Sequence, residues 1–225
     1  MRQTSLNAIA IGIFAVTIST LLGPALNLPQ VVPAIAIFCL LGLAAFDTFQ
    51  WQGQGSAILS DLLARNSDEK RSRILHHEAG HFLVAYLLEI PITGYAINAW
   101  EAFKQGQNSQ GGVRFEDPKL SQETQRSEFS LQLLDRYCTV WMAGIAAENL
   151  IYGNAEGGAE DRDKIRAILS QMRRPDSEFK VKENRALLQA RNLIETHQLA
   201  YKELVEAMKK REPVAECYRV IQQNL

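Results

Sequence analysis

The residues with the clearest chemical potential are two histidines and a glutamate in the run His77-Glu78-Ala-Gly-His81. On a helix, residues four apart stack on one face. His77 and His81 can therefore direct both imidazoles at one metal ion, with Glu78 beside them to take a proton from a metal-activated water. His76 stands five residues from His81 and points elsewhere on the helix. Zinc suits two imidazoles, and a hydrolytic zinc site has three protein ligands and one open position.

The third ligand has several candidates: Glu148, Glu156, Glu160, Asp161 and Asp163. Spacing does not choose among them. A carboxylate at a helix start after the pair Gly157-Gly158 is physically attractive, because glycine allows close approach of the backbone to the metal helix. The cysteines, Cys39, Cys138 and Cys217, are odd in number and far apart. They form neither a metal knuckle nor a disulfide framework. A net charge of -1 gives no footprint for nucleic acid.

These residues need elements to hold them. A helix through Ile74 to Leu88, capped by Asn66 or Ser67 and ended by Pro91, carries the histidines. Two short strands follow, Gly94 to Asn98 and Gly112 to Phe115, joined by a polar loop. A long helix is expected from Gln125 to Tyr152, closing at Gly153. A glycine turn then leads into a helix that begins near Asp161 and ends before Pro175. The segment Glu178 to Leu225 reads as two amphipathic helices broken at Pro213.

Upstream, no charged side chain occurs between Arg2 and Asp47. The runs Leu6 to Leu22 and Val31 to Phe46 are apolar all round, and Phe46, Phe49 and Trp51 sit where an interfacial aromatic belt would lie. Residues 1–50 are therefore expected to form a membrane anchor of two transmembrane helices, in contact with lipid. Residues 51–66 form a linker with a short interfacial helix over Ala57 to Leu63, and residues 67–225 a metallopeptidase domain. Arg2 before the pair, and Arg65, Lys70, Arg71 and Arg73 after it, place that domain on the cytosolic or equivalent side. The expected fold is mainly α with a small β-sheet, an α+β metallopeptidase domain behind a transmembrane hairpin.

The run His77 to Leu88 resembles the zinc helix of the FtsH family of membrane-bound, ATP-dependent metalloproteases. Gly111-Gly-Val-Arg-Phe115 is similar to that family's next strand, and Met142 to Gly153 to its Gly-Gly-Arg-Ala-Ala-Glu-Glu helix. Gly157-Gly-Ala-Glu-Asp161 is similar to its Gly-Ala-x-Asn-Asp turn, whose final Asp is the third zinc ligand. The resemblance covers residues 67 to 210. It implies Zn²⁺ on His77, His81 and Asp161, with Asp163 as the fallback if the register slips by two. The sequence departs from the family in containing no Gly-x-x-x-x-Gly-Lys-Ser/Thr loop.

The expected activity is that of a membrane-anchored zinc endopeptidase, ATP-independent by itself. It hydrolyses unfolded or membrane-associated polypeptides. Glu78 is the general base, and Glu148 a partner that orients a ligand histidine. Substrate backbone would add to an edge strand, either Gly112, Val113 and Arg114 with Phe115, or Tyr95 to Asn98. Expected partners are a polypeptide substrate, membrane lipid, and a homo-oligomer or a full-length ATP-dependent protease; nucleic acid is not among them. The alternative is a non-catalytic, peptidase-like membrane protein that assists a larger protease or membrane complex.

Overall fold

The computed structural model describes residues 68–104, 112–115 and 130–225, with isolated positions between 14 and 46. In chain order the elements are helix α1 (Asp68–Leu87), strand β1 (Ile92–Ala96), short helix α2 (Ala99–Lys104) and strand β2 (Gly112–Phe115). Helices α3 (Leu131–Tyr152), α4 (Ala159–Gln171), α5 (Asp176–Thr196), α6 (Gln198–Lys209) and α7 (Val214–Gln223) follow. The described fold is mainly helical with one antiparallel two-stranded sheet.

Helix α3 is the centre of the core. Every residue from Tyr137 to Glu148 is buried, as a helix apolar around most of its circumference requires. Helix α1 covers one side and α5 another. The α1–α3 pair is antiparallel: Ser72 bonds Tyr152, His77 meets Gly144 and Glu148, and His81 reaches Val140. Close approach depends on small residues. A Cβ on Gly80 would stand 2.5 Å from the Ala143 carbonyl oxygen, so nothing larger fits. Around this contact Phe82, Leu83, Met142 and Ile145 are fully buried, each contributing about 1.5–3 kcal/mol of hydrophobic stabilisation.

Three helix ends share one device. After α1, α4 and α6 the chain passes through a left-handed residue, Glu89, Arg173 and Arg211, with φ of 54°, 55° and 64°. The next amide closes back on the last turn: Ile90 N–H to Ala85 O at 2.9 Å, Arg174 to Leu169 at 2.9 Å, and Glu212 to Ala207 at 3.1 Å. Each pattern is a Schellman closure without the usual glycine. Each is followed two residues later by proline, Pro91, Pro175 or Pro213, which prevents continuation of the helix. Pro175 and Pro213 then cap α5 and α7 with extended backbone.

Among the described residues, no helix is long and apolar enough to cross a membrane. This corrects the expectation of a two-helix transmembrane hairpin, and with it that of an integral membrane protein displaying its domain on the cytosolic side. The long apolar helix that is described, α3, is enclosed by other helices instead. Apart from isolated positions, segment 1–50 lies outside the described residues. So do the linker and interfacial helix of 51–66, with the Asn66 or Ser67 cap.

Several boundaries also move. Strand β1 begins two residues before the expected Gly94, and Asn98 serves α2 instead, its Oδ1 accepting the Glu101 amide at 2.7 Å. Ser130 caps α3 by accepting from the Leu133 amide, so the helix starts at Leu131 and not Gln125. The C-terminal region holds three helices, not two, because the chain breaks at His197 (φ -110°, ψ 41°) between α5 and α6.

Candidate metal centre

His77 and His81 lie on the face of α1 turned to α3, and both are buried. His77 Nδ1 is 2.7 Å from Glu148 Oε1, and His81 Nδ1 is 2.7 Å from the Val140 carbonyl oxygen. A carbonyl only accepts, so His81 carries its proton on Nδ1. The ionised Glu148 carboxylate assigns His77 the same tautomer. Nε2 of each ring is thereby the atom left for ligation.

The turn after α3 delivers the third group. Gly158 has φ 85°, and a Cβ there would stand 2.2 Å from Ile145 Cγ1, so this position demands glycine on both conformational and steric grounds. Helix α4 starts one residue later and sets buried Asp161 in its first turn. Asp161 Oδ2 lies 3.4 Å from His77 Nε2 and 3.6 Å from His81 Nε2. These separations exceed the ~2.7–2.9 Å of a charge-assisted hydrogen bond. They are close to the ~3.3 Å edge of a tetrahedron with ligands ~2.05 Å from a central zinc. One ligand atom from each of the three residues lies within 4.8 Å of the others. The buried group His77, His81 and Asp161 can hold a metal ion, and its donor chemistry fits one.

Glu148 joins the parts of this centre. Besides His77, it accepts the Glu156 amide at 2.9 Å and the Gly157 amide at 3.2 Å, so one carboxylate fixes a ligand ring and the turn that leads to Asp161. Arg73 reinforces the arrangement, 3.8 Å from Glu148 Oε2, bonded to the Asn154 carbonyl at 3.3 Å and lying 4.3 Å over the Tyr152 ring. Gly144 leaves room for the imidazole: a Cβ on it would fall 2.4 Å from His77 Nε2. Glu78 points to the sheet, where its Oε2 accepts the Val113 amide at 3.0 Å.

The electrostatics follow from this crowding. Burial opposes a charge on His77, but Asp161, Glu148 and Glu78 overcome it and raise its pKa to about 10. A cation bound at Nε2 would take the place of that proton, and its uptake would be accompanied by proton release. Burial also opposes a charge on Asp161, yet His81, His77 and Lys164, the last at 2.9 Å, hold its carboxyl far below the ordinary carboxylate range. Glu148 is likewise lowered against burial, by His77 and the two turn amides.

Of the residues expected from sequence, His77, His81 and Asp161 converge, Glu148 holds the His77 ring, and Glu78 turns to β2. Asp163 stands apart: it is exposed and paired with Arg166 at 2.8 Å. Glu156 and Glu160 are exposed as well. Gly112 and Val113 border Glu78, whereas the Arg114 guanidinium folds over Gly94. There it helps line a cavity of ≈ 370 Å³ with Glu101 and Arg211, away from the histidines. Within Tyr95 to Asn98, the Ile97 amide donates to Glu101 Oε2 at 3.1 Å and Asn98 caps α2, so both are engaged by the start of that helix. His76 turns to Tyr201, its Nδ1 2.9 Å from the hydroxyl.

The sequence reading used Arg73 only as a sign of orientation and did not single out Val140, Gly144 or Lys164, although spacing carries a signal for each. Arg73 is four residues before His77, and Val140, Gly144 and Glu148 repeat every four along α3. Lys164 is three residues after Asp161. Comparison with known protein families finds no matching family, and comparison with curated proteins finds no match.

Proposed function

We propose that this chain is a zinc-dependent endopeptidase, with a peptidase domain similar to that of the FtsH family, cleaving unfolded polypeptide segments. The observation that carries the reading is the convergence of His77, His81 and Asp161 on one buried point. Glu78, an unneeded carboxylate in a purely structural site, stands next to the first ligand. Zinc bound there supplies a Lewis acid that polarises a scissile carbonyl and acidifies a water.

The remaining work falls to the chain itself. Glu148 and the Val140 carbonyl hold the two imidazoles in the ligating tautomer and orientation. Glu78 accepts the proton of the attacking water and passes it to the leaving amine nitrogen. The outer edge of β2 receives the substrate backbone by strand addition, which favours extended, unfolded segments over particular side chains.

The test uses the full chain without ATP. Zinc content is measured by mass spectrometry, and cleavage is followed on casein, an unfolded protein. Wild type should carry one zinc and cleave. Glu78→Gln should keep the zinc and lose about 10²–10⁴-fold in rate, and Asp161→Ala should lose the metal. Stoichiometric zinc, with wild type no faster than Glu78→Gln, would sink the enzyme reading and leave a non-catalytic peptidase-like protein.

A further inference from the structure

Glu78 does not stand free beside the metal ligands, because its Oε2 accepts a hydrogen bond from the Val113 amide at 3.0 Å. Val113 pairs with Tyr95 in a two-stranded sheet, so among the described residues β2 has a strand on one side only. The amide that reaches Glu78 therefore belongs to the edge of β2 that has no strand partner among the described residues, the edge beside α1. Gly112, with φ 128°, lies beside the same carboxylate: a Cβ there would be in ordinary contact with Glu78 Oε2, at 3.8 Å. Amides of an antiparallel strand face alternate sides, so a four-residue strand offers very few outward donors. Strand addition is built from such donors.

We propose that the Val113 N–H is a shared donor, held by Glu78 in the free protein and handed to a substrate carbonyl when an extended polypeptide adds to β2. The inference rests on the endopeptidase reading above. The exchange replaces one oxygen acceptor by another, so the amide is never left unsatisfied, and the loss of one bond is offset by the next. The Glu78 carboxylate is released towards the metal centre as the strand seats. Val113 is thus a positioning residue: it keeps the base parked until a chain occupies the edge.

The probe is a fluorescent eight-residue peptide of alternating threonine and valine, with its central amide reduced to CH₂–NH so that it is not cleaved. It is titrated into the full zinc-loaded chain. Glu78→Ala leaves the donor unclaimed and should bind the peptide about tenfold more tightly than wild type. Val113→Pro removes the donor at an edge position where proline is tolerated. In that background Glu78→Ala should bring no gain. A gain that persists in the double variant overturns the proposal.

Amide exchange of Val113, read by NMR, tests the same bond without proline. Exchange should be about tenfold faster in Glu78→Ala than in wild type, and peptide should restore protection. Equal exchange in the two proteins also overturns the proposal. Peptide binding and casein cleavage with no effect of Glu78→Ala on affinity reject this inference alone. No peptide binding in any protein, together with no cleavage, rejects the endopeptidase reading as well.

Discussion

At the residue scale, the centre is a case of few groups with several obligations each. Glu148 binds His77 and two amides of the glycine turn at once, so its loss affects a ligand ring and the placement of Asp161 together. Glu148→Gln keeps the size but removes the charge and one acceptor oxygen. The expected result is a zinc affinity weakened about 10–100-fold, measured by competition with a chromogenic chelator, in a protein whose circular dichroism is unchanged. Affinity equal to wild type would show that backbone and packing alone orient His77. Arg73 contributes less, since it reaches Glu148 only at 3.8 Å. Its larger part is to tie the Asn154 segment and the Tyr152 ring to the start of α1.

At the element scale, the closures after α1, α4 and α6 place Glu89, Arg173 and Arg211 in left-handed backbone. A side chain there costs about 1–2 kcal/mol, partly offset by the conformational entropy that glycine would lose on folding. Arg173 is exposed, so its replacement isolates the backbone effect. Arg173→Gly should stabilise the protein by about 0.5–1 kcal/mol, seen as a higher midpoint in urea with an unchanged slope. A lower midpoint would mean that the arginine side chain makes a stabilising contact. The helices themselves need little such help, because α3 is buried through its middle and α1 packs on it through small residues.

At the scale of the molecule, an ion pair links helix α4, which carries Asp161, to α5. Buried Glu183 accepts from Arg162 at 2.8 Å and from Lys180 at 3.2 Å. Burial alone would raise its pKa, but the two cations lower it below the ordinary glutamate value. A carboxyl with a depressed folded-state pKa stabilises the fold above its unfolded pKa of about 4.3 and loses that contribution as pH falls towards the folded value. Glu183→Gln should cost about 1–2 kcal/mol at pH 7, a modest figure because both cations reach solvent. The difference from wild type should close below about pH 4. Thermal melts across pH 3 to 7 check this, and a gap independent of pH would assign the loss to packing.

By itself, the sequence determined the local chemistry. His77 and His81 at helical spacing, Glu78 between them, the paired glycines before Asp161, and the prolines at 91, 175 and 213 all act within a few residues of themselves. Their consequences hold whatever surrounds them. The Asn98-x-x-Glu101 cap of α2 was equally local and was legible, though not read. Tertiary structure decided what depends on distant neighbours. It made Asp161 the buried partner and left Asp163 to solvent two residues on, because Asp161 lies on the side of α4 turned to the histidines and Asp163 does not. It bent the chain at His197, where no proline or glycine announces a break, as packing passes from α3 against α5 to α1 against α6. It also enclosed the apolar helix α3 in protein. An all-round apolar pattern specifies exclusion from water, and only the arrangement of the other elements determines what does the excluding.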